Sequence, residues 1–201
     1  MAFPHPFYFL RHGETTWNAI RKTQGQQDSP LSDLGKVQAE RAGEVYANEK
    51  IERIVASPLS RARHTAEAVA KHHDVELTFD DGLMECHLGD MECQPNGPWL
   101  VDYWMGQFDP PNGETFGQFS TRVWAAMRRA VDLGPNTLIV AHGGLWTAAH
   151  EFVRIEPGLR PMPNALPLHV TPQNNVWRHR ILDQKRASDL ASSTQPPGAS
   201  V

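Results

Sequence analysis

Five residues in four separate segments of the sequence have side chains suited to chemistry on an anionic group. Arg11 and His12 stand side by side, Arg61 follows a Ser-Pro pair, Glu85 follows an apolar pair, and His142 precedes two glycines. An imidazole can act as a nucleophile, a guanidinium group offers forked donors to phosphate oxygens, and a carboxylic acid can supply a proton. Phosphoryl transfer depends on alignment and charge neutralisation, which groups of these kinds can provide.

Each of these residues also has an ordinary structural interpretation. An Arg-His pair at the end of a strand can be a surface pair or a buried histidine whose hydrogen bonds are satisfied, and Arg61 can be a solvated helix charge. His142 could stand incidentally in a tight turn, and Glu85 could be a loop carboxylate. Taken singly, none of the four segments decides the function.

The apolar pattern of the chain predicts strands that alternate with helices. Predicted strands cover 7–10, 53–56, 75–79, 137–141, 165–171 and 175–182, and predicted helices cover 33–48, 115–132 and 143–154, with one more that starts at Ser57-Pro58. This alternation predicts an α/β fold, a three-layer α/β/α sandwich around a mostly parallel mixed sheet in a single domain. Ligands of such sheets bind at the carboxyl ends of the strands, which is where Arg11-His12, Ser57 to Arg61 and His142 fall.

Helix signals add detail to this arrangement. Ser32 is a predicted N-cap, and the helix after it would turn one face inward, formed by Leu34, Val37, Ala42 and Val45. Thr115 and Gln118 form a predicted capping box. The Ser-Pro pair places Arg61 in the first turn of its helix, where free N–H groups favour an anion. Residues 80–114 are predicted to be irregular, 1–185 to form the catalytic domain, and 186–201 to form a disordered tail.

Composition limits the class of protein. The 201 residues are 40% hydrophobic and carry a formal net charge of −4, which fits one domain and argues against general binding of nucleic acid or membrane surfaces. The first ten residues contain no Lys or Arg and do not resemble a signal peptide. Cys86 and Cys93 are too few for a disulfide framework and match no zinc pattern, so free thiols in the cytoplasm are expected. The oligomeric state is not predicted.

In their order along the chain, these segments resemble the histidine phosphatase superfamily, which includes the cofactor-dependent phosphoglycerate mutases. The resemblance runs from Phe7 to about Leu182. The matching segments are Arg11 to Thr15 with Asn18, Gln24-Gly25, Pro30 to Gly35, Ser57 to Arg61 with Thr65-Ala66, Leu83 to Glu85 with Gly89 and Glu92, Gly113 to Thr115, and Val140 to Gly144.

The resemblance implies a role for each matching residue. His12 would be the nucleophile, and Arg11, Arg61 and His142 would surround the phosphoryl oxygens. Glu85 would be the proton donor. Asn18, Gln24, Gly25 and Gly143 would line the substrate site. His12 must attack through an unprotonated nitrogen, so its other ring nitrogen needs an acceptor such as a backbone carbonyl. The arginines would neutralise the charge, and no metal or cofactor is expected.

The resemblance predicts a phosphomonoesterase for a small phosphorylated metabolite, with two alternatives left open. One is a phosphoglycerate-type mutase. Cys86 and Leu88 argue against it, because they replace an Arg and a Tyr that help such mutases to hold a second acidic group. The other is a binding protein that keeps the fold without catalysis. The family usually has Gly where Cys93 stands, so the loop geometry there is an open question.

An aromatic segment, Trp99 to Phe108, follows the predicted acid. It contains Trp99, Tyr103, Trp104 and Phe108 and few cations. In the family the corresponding stretch lies over the pocket, and ordinary packing on the core is the equal alternative. If these rings face the pocket, substrates with a ring-bearing group should be preferred over compact, doubly acidic ones.

Overall fold

The computed structural model describes residues 3–156, 158–174 and 176–193. Within these residues, seven strands form one mixed sheet: β1 (Phe7–Arg11), β2 (Arg53–Ala56), β3 (Leu77–Phe79), β4 (Thr137–Ala141), β5 (Ile155–Glu156), β6 (Leu168–Gln173) and β7 (Val176–Ile181). Their order is β3-β2-β4-β1-β6-β7-β5. The first four positions of this order are joined by parallel pairings, and β6 pairs antiparallel with both β1 and β7.

The helices cover both faces of the sheet. They are α1 (Thr16–Ala19), α2 (Asp33–Tyr46), α3 (Ser60–Ala70), α4 (Trp99–Trp104), α5 (Phe116–Asp132), α6 (Gly143–Ala149) and α7 (Gln184–Ser193). Alternate residues of β1 enter two different cores. Phe7 and Phe9 pack with α5 and α6, whereas Tyr8 and Leu10 pack with α2 and α3. The predicted three-layer α/β/α sandwich in a single domain is confirmed.

The register of the sheet brings the predicted chemistry to one edge. Arg11, the last residue of β1, pairs with Ala141, the last residue of β4, and Ala56 of β2 pairs with Val140. His12, Ser57 and His142 are therefore the first residues beyond three adjacent parallel strands. The backbone N–H groups of His12 and Ser57 extend the pairing to the carbonyls of Ala141 and Val140.

The predicted inward face of α2 is partly wrong. Leu34 and Val37 are 53% and 65% exposed. The helix instead buries a stripe of small residues with Tyr46: Gly35, Ala39, Ala42 and Gly43. A Cβ at Gly43 would lie 2.6 Å from the carbonyl oxygen of Ala68, so α2 approaches α3 too closely for a larger side chain. Close packing decides the orientation of this helix.

The ends of several elements differ from the sequence prediction. Residues 80–114 contain helix α4 and two short 3₁₀ helices, Asp81–Leu83 and Gly89–Met91, where no regular structure was expected. Helix α6 ends at Ala149, and β5 was not predicted. Helix α7 covers residues predicted to be a disordered tail from 186 onward, and residues 194–201 of that tail lie outside the described residues.

Candidate active site

A cavity of about 120 Å³ opens at the carboxyl ends of the parallel strands. Seven of the nine predicted site residues line it: Arg11, His12, Asn18, Gln24, Gly25, Arg61 and Glu85. The other two adjoin it. The ring centroid of His142 lies 5.2 Å from that of His12. A Cβ on Gly143 would lie 3.3 Å from Nε of Arg11, so this glycine lets the guanidinium group pack against the start of α6.

His12 is held in the orientation that a nucleophile needs. Its side chain is buried, and its Nδ1 lies 2.7 Å from the carbonyl oxygen of Gly13. A carbonyl can only accept, so Nδ1 carries the proton and Nε2 keeps its lone pair. Burial, followed by the positive charges of Arg61 and Arg11, lowers the pKa of His12 well below its ordinary value. The ring is therefore neutral at neutral pH, and the predicted carbonyl acceptor is present.

Arg61 is anchored at its tip and is almost fully buried. It occupies the first turn of α3, its Nη1 donates to the carbonyl of Gln27 at 2.9 Å, and its Nη2 donates to the carbonyl of Gly25 at 2.7 Å. Its buried Nε has no hydrogen-bond partner. Arg61 lines the cavity, and an unsatisfied guanidinium donor at such a site is suited to an anionic ligand that could supply the missing acceptor.

Arg11 presents a second guanidinium group with the same property. Its Nη1 donates to the carbonyl of Met162, and its buried Nε has no partner. Burial lowers the pKa of Arg11 to about 10, with Glu85 opposing this shift and Arg61 adding to it. The group is thus charged at neutral pH. Both arginines thus line the cavity beside His12, and each has a buried Nε without a hydrogen-bond partner.

His142 is buried and neutral. Its Nε2 lies 2.8 Å from Oγ of Ser57, and its Nδ1 has no partner. Burial, followed by the nearby positive charges of Arg61 and Arg11, lowers the pKa of His142 well below its ordinary value. Its contribution to an anion in this site is therefore a hydrogen bond unless a bound dianion restores its proton.

Glu85 is oriented by two backbone donors. Its Oε1 accepts from the N–H of Cys86 and its Oε2 accepts from the N–H of Gly144, each at 3.1 Å. A Cβ at Gly144 would lie 2.2 Å from Oε1 of Glu85 and 2.9 Å from Cη2 of Trp104. Only glycine fits there, and its lack of a side chain lets the carboxyl group reach the end of β4.

The predicted polar lining comes from a short loop that folds over the site. Thr15 caps α1, with its hydroxyl accepting from the N–H of Asn18 and the Asn18 side chain accepting from the N–H of Thr15. The Thr15 hydroxyl also lies 2.9 Å from Oε1 of Gln24. Gly25 has a φ of +56° and would bring a Cβ within 2.2 Å of the Glu92 carboxylate, so this position requires glycine.

Sequence reasoning missed several residues that hold the site together. The Asn164 amide donates to the carbonyl of His12, and Thr65 Oγ1 accepts from the N–H of Gly13. Arg122 donates to the carbonyls of Met84 and Glu85, and so supports the backbone beside the carboxylate. Asn164 and Arg122 approach from distant parts of the chain, and no local motif marks them. Thr65 belongs to a matching segment but had no assigned role.

The outer part of the cavity combines one cation with apolar surface. This part of the cavity is lined by Lys22, Thr23, Asn96, Cys86, Leu88, Leu100 and Trp104. The Lys22 ammonium lies 4.1 Å from the centroid of the Trp17 ring. Of the four aromatic rings in the segment Trp99 to Phe108, only that of Trp104 lines the cavity. Tyr103 is fully buried, and Trp99 pairs with Phe108 with their centroids 6.0 Å apart.

The two cysteines differ in their burial. Cys86 is buried, Cys93 is exposed, and both are free thiols. Cys93 has a φ of +65°, the left-handed conformation in which glycine carries no penalty. The backbone at Cys93 thus has the left-handed conformation that a glycine adopts easily, and the cysteine adopts it with strain.

Among the residues that the structure describes, no group of three or more His, Cys, Asp and Glu side chains is placed to hold a metal ion. In the same part of the chain, each helix is too short or too polar to cross a lipid bilayer.

Known proteins share both the sequence and the architecture. The model of the histidine phosphatase superfamily (branch 1) matches residues 7–164. GpmB of Citrobacter koseri, which is named a probable phosphoglycerate mutase, is 39% identical over 147 residues, 68% of this chain and 68% of that protein. A protein of the same name from Salmonella choleraesuis is 37% identical over the same shares.

Solved structures agree with this relationship. A mycobacterial glucosyl-3-phosphoglycerate phosphatase in complex with VO3 matches with a TM-score of 0.73 and 27% identity, over 88% of this chain and 97% of that one. YhfR of Bacillus stearothermophilus matches with a TM-score of 0.74 and 29% identity, over 88% of this chain and 96% of that one.

Proposed function

This chain belongs to the histidine phosphatase superfamily, and on that basis we propose that it is a phosphomonoesterase that forms a phosphohistidine on His12. The substrate is a small phosphorylated metabolite. The observation that carries the proposal is the hydrogen bond from Nδ1 of His12 to the carbonyl of Gly13, because it leaves Nε2 as a free nucleophile beside two open arginine donors.

In the first step Nε2 of His12 attacks phosphorus and the bond from phosphorus to the ester oxygen breaks. Arg11 and Arg61 hold the phosphoryl oxygens with their charges, and His142 adds a hydrogen bond. Asn18, Gln24, Gly25 and Gly143 shape the space around these oxygens. The electron pair of the broken bond stays on the leaving oxygen, which takes a proton from Glu85.

In the second step the Glu85 carboxylate accepts a proton from water as the water oxygen attacks phosphorus. The bond from phosphorus to Nε2 breaks, which regenerates neutral His12 and releases inorganic phosphate. One acid–base group thus serves both steps, and the net reaction consumes one water for each ester hydrolysed. The arginines provide the neutralisation that a metal would otherwise supply, and we expect no cofactor.

Hydrolysis is favoured over mutase activity, although relatives such as GpmB carry a mutase name. The wall that would hold a second acidic group is formed here by Cys86 and Leu88, both buried and neither a cation. Lys22 is one cation in the outer cavity, and its ammonium stacks on Trp17. A compact, doubly acidic substrate therefore finds weaker support here than one with an apolar leaving group. A non-catalytic binding protein would have no need for this oriented nucleophile and acid.

We also propose that the enzyme acts in the cytoplasm, without nucleic-acid or membrane partners. The support is the pair of free thiols and the net charge of −4.

The test is an assay of the full chain on p-nitrophenyl phosphate and a panel of phosphorylated metabolites, beside a coupled mutase assay with 3-phosphoglycerate. We expect phosphate release from several monoesters and a mutase rate at least about a hundredfold lower, since the loss of charged contacts to a substrate can cost about 3 kcal/mol. A mutase rate that exceeds hydrolysis would overturn the proposal, and so would the absence of hydrolysis across the panel.

A further inference from the structure

We propose that Arg186 of helix α7 is a positioning residue for the active site, because it holds residues 162–165 against the end of β1. We call residues 162–165 the clamped segment. The kinetic part of this inference rests on the proposed function. Arg186 lies beyond residue 164, where the match to the family ends, so the family relationship assigns it no role.

The clamped segment contacts the two site residues at the end of β1. Its first carbonyl, that of Met162, accepts from Nη1 of Arg11. The side chain of Asn164 donates to the carbonyl of His12 at 3.1 Å. The N–H of Ala165 lies 3.0 Å from the carbonyl of Arg11 and 3.2 Å from that of His12. A shift of this segment would therefore move the nucleophile and a phosphate-binding arginine together.

Arg186 holds the clamped segment from its other side. Nη1 of Arg186 donates to the carbonyl of Asn164 at 2.8 Å and to that of Ala165 at 2.6 Å. The start of α7 is itself anchored, because the buried Asp183 accepts from the N–H of Arg186 and from Nε and Nη2 of Arg41. A cation that satisfies two adjacent carbonyls fixes the backbone between them.

The backbone of Ala165 needs such support. Its φ is +44°, in the left-handed region that a residue with a Cβ rarely adopts, and its side chain is buried. A strained residue persists only where its surroundings hold it. Here the surroundings are the carbonyls of Arg11 and His12 and the guanidinium group of Arg186.

The first experiment compares Arg186→Ala and Arg186→Lys with Lys185→Ala, which removes an exposed cation one residue away on the same helix. We expect Arg186→Ala to lower kcat on p-nitrophenyl phosphate about tenfold with KM changed less than about threefold, since small misplacements of reacting groups reduce rates strongly. Arg186→Lys should recover most of kcat, because an ammonium group can also donate to both carbonyls. Lys185→Ala should match the parent.

The second experiment introduces Ala165→Gly into the parent and into Arg186→Ala. Glycine adopts a positive φ without strain, so it should restore at least about half of the kcat lost in Arg186→Ala while it leaves the parent nearly unchanged. Thermal unfolding of the parent and the five variants identifies those that fail to fold, and it separates rescue of the site from a gain in overall stability. If Arg186→Ala is among them, Arg186→Met, which keeps an unbranched side chain and removes the donors to both carbonyls, replaces it with and without Ala165→Gly.

Amide hydrogen exchange at Ala165 provides a readout that does not depend on turnover. We expect exchange in Arg186→Ala to be faster by about tenfold or more at this amide and unchanged in the centre of α5. If the parent hydrolyses no ester, the proposed function fails and exchange alone decides whether Arg186 holds the segment. The inference is overturned by normal kcat in a folded Arg186→Ala, by no rescue from glycine, or by unchanged exchange at Ala165.

Discussion

The N–H of Gly144 donates to Oε2 of Glu85 at 3.1 Å, and so joins the first turn of α6 to a carboxylate that lies 59 residues earlier in the chain. Because α6 begins directly after His142, the same short stretch supplies a phosphate-side histidine and the donor that orients the proposed acid. The position of the proton donor relative to the phosphoryl group thus depends on one glycine at the end of β4.

This arrangement predicts that Glu85→Gln keeps one of the two backbone hydrogen bonds through its amide oxygen and removes proton transfer. We expect the rate on an alkyl phosphate to fall about a hundredfold or more, which is the usual contribution of a general acid. The rate on p-nitrophenyl phosphate should fall less than about tenfold, because its leaving group needs little protonation. Steady-state kinetics on both substrates provide the measurement.

Asp90→Asn is the matched control, because it removes an exposed carboxylate of the same loop. It should behave as the parent does on both substrates. Equal losses on the two substrates in Glu85→Gln would remove Glu85 from the acid role.

Metal removal should leave the enzyme active. Arg11 and Arg61 supply fixed positive charge at the proposed phosphate position. In other phosphatases a divalent ion provides this neutralisation of the phosphate charge. Dialysis against excess EDTA should keep the full rate on p-nitrophenyl phosphate, and vanadate should inhibit by mimicking the phosphoryl group in transfer. A rate that disappears with EDTA and returns with a divalent ion would require a different mechanism.

Acid should destabilise the protein through its two site histidines. Burial, with the charge of Arg61 acting in the same direction, lowers the pKa of His12 and His142 well below 6.5. The unfolded chain therefore binds protons below pH 6.5 that the folded protein does not, and the free energy of unfolding falls as the pH drops. We expect a loss of about 1 kcal/mol per histidine for each pH unit below 6.5 until the folded rings are protonated as well.

Urea unfolding at pH 7.5, 6.5 and 5.5 measures this dependence. His142→Asn should flatten it, and His64→Asn, which changes an exposed histidine of α3, should leave it as in the parent. The same slope in the parent and in His142→Asn would contradict the assignment of a neutral, buried His142.

Trp104 should determine preference for the leaving group. Its ring lies beside Gly144 and Glu85, where the leaving oxygen would be protonated. We expect the parent to prefer a nucleoside monophosphate to 3-phosphoglycerate in kcat/KM. Trp104→Ala should lower that ratio about tenfold, since stacking on an aromatic ring contributes about 1 kcal/mol beyond the area buried.

Trp99→Ala is the matched control, because Trp99 pairs with Phe108 and does not line the cavity. Its ratio should stay within about twofold of the parent, as expected for a change outside the site. A parent that prefers 3-phosphoglycerate, or an unchanged ratio in Trp104→Ala, would leave Trp104 without this role.

The fold could be predicted where the sequence pattern and the burial agree. Phe7 to Leu10 is apolar throughout because both faces of β1 are covered, and the Thr115 capping box starts α5 as expected. The pattern failed for α2, where close approach to α3 turned Gly43 inward and left Val37 exposed. It also missed α4, which has only six residues and follows Gly97-Pro98.

The candidate site could be predicted as far as its residues stand in short motifs at the ends of strands. Arg11, His12 and Arg61 were found in this way. Asn164 and Arg122 were not, because each acts through hydrogen bonds to backbone carbonyls that are distant in sequence. Such contacts depend on the tertiary structure, and neither residue type nor spacing marks them.

Detection of a phosphoryl group on His12 tests the central claim most directly. Brief incubation of the full chain with a ³²P-labelled monoester, followed by a rapid quench in alkali and peptide mapping, should place acid-labile, alkali-stable label on the peptide that contains His12. His12→Ala should carry no label and should not turn over, whereas His64→Asn should be labelled as the parent is. Label on another residue, or full turnover by His12→Ala, would contradict the account.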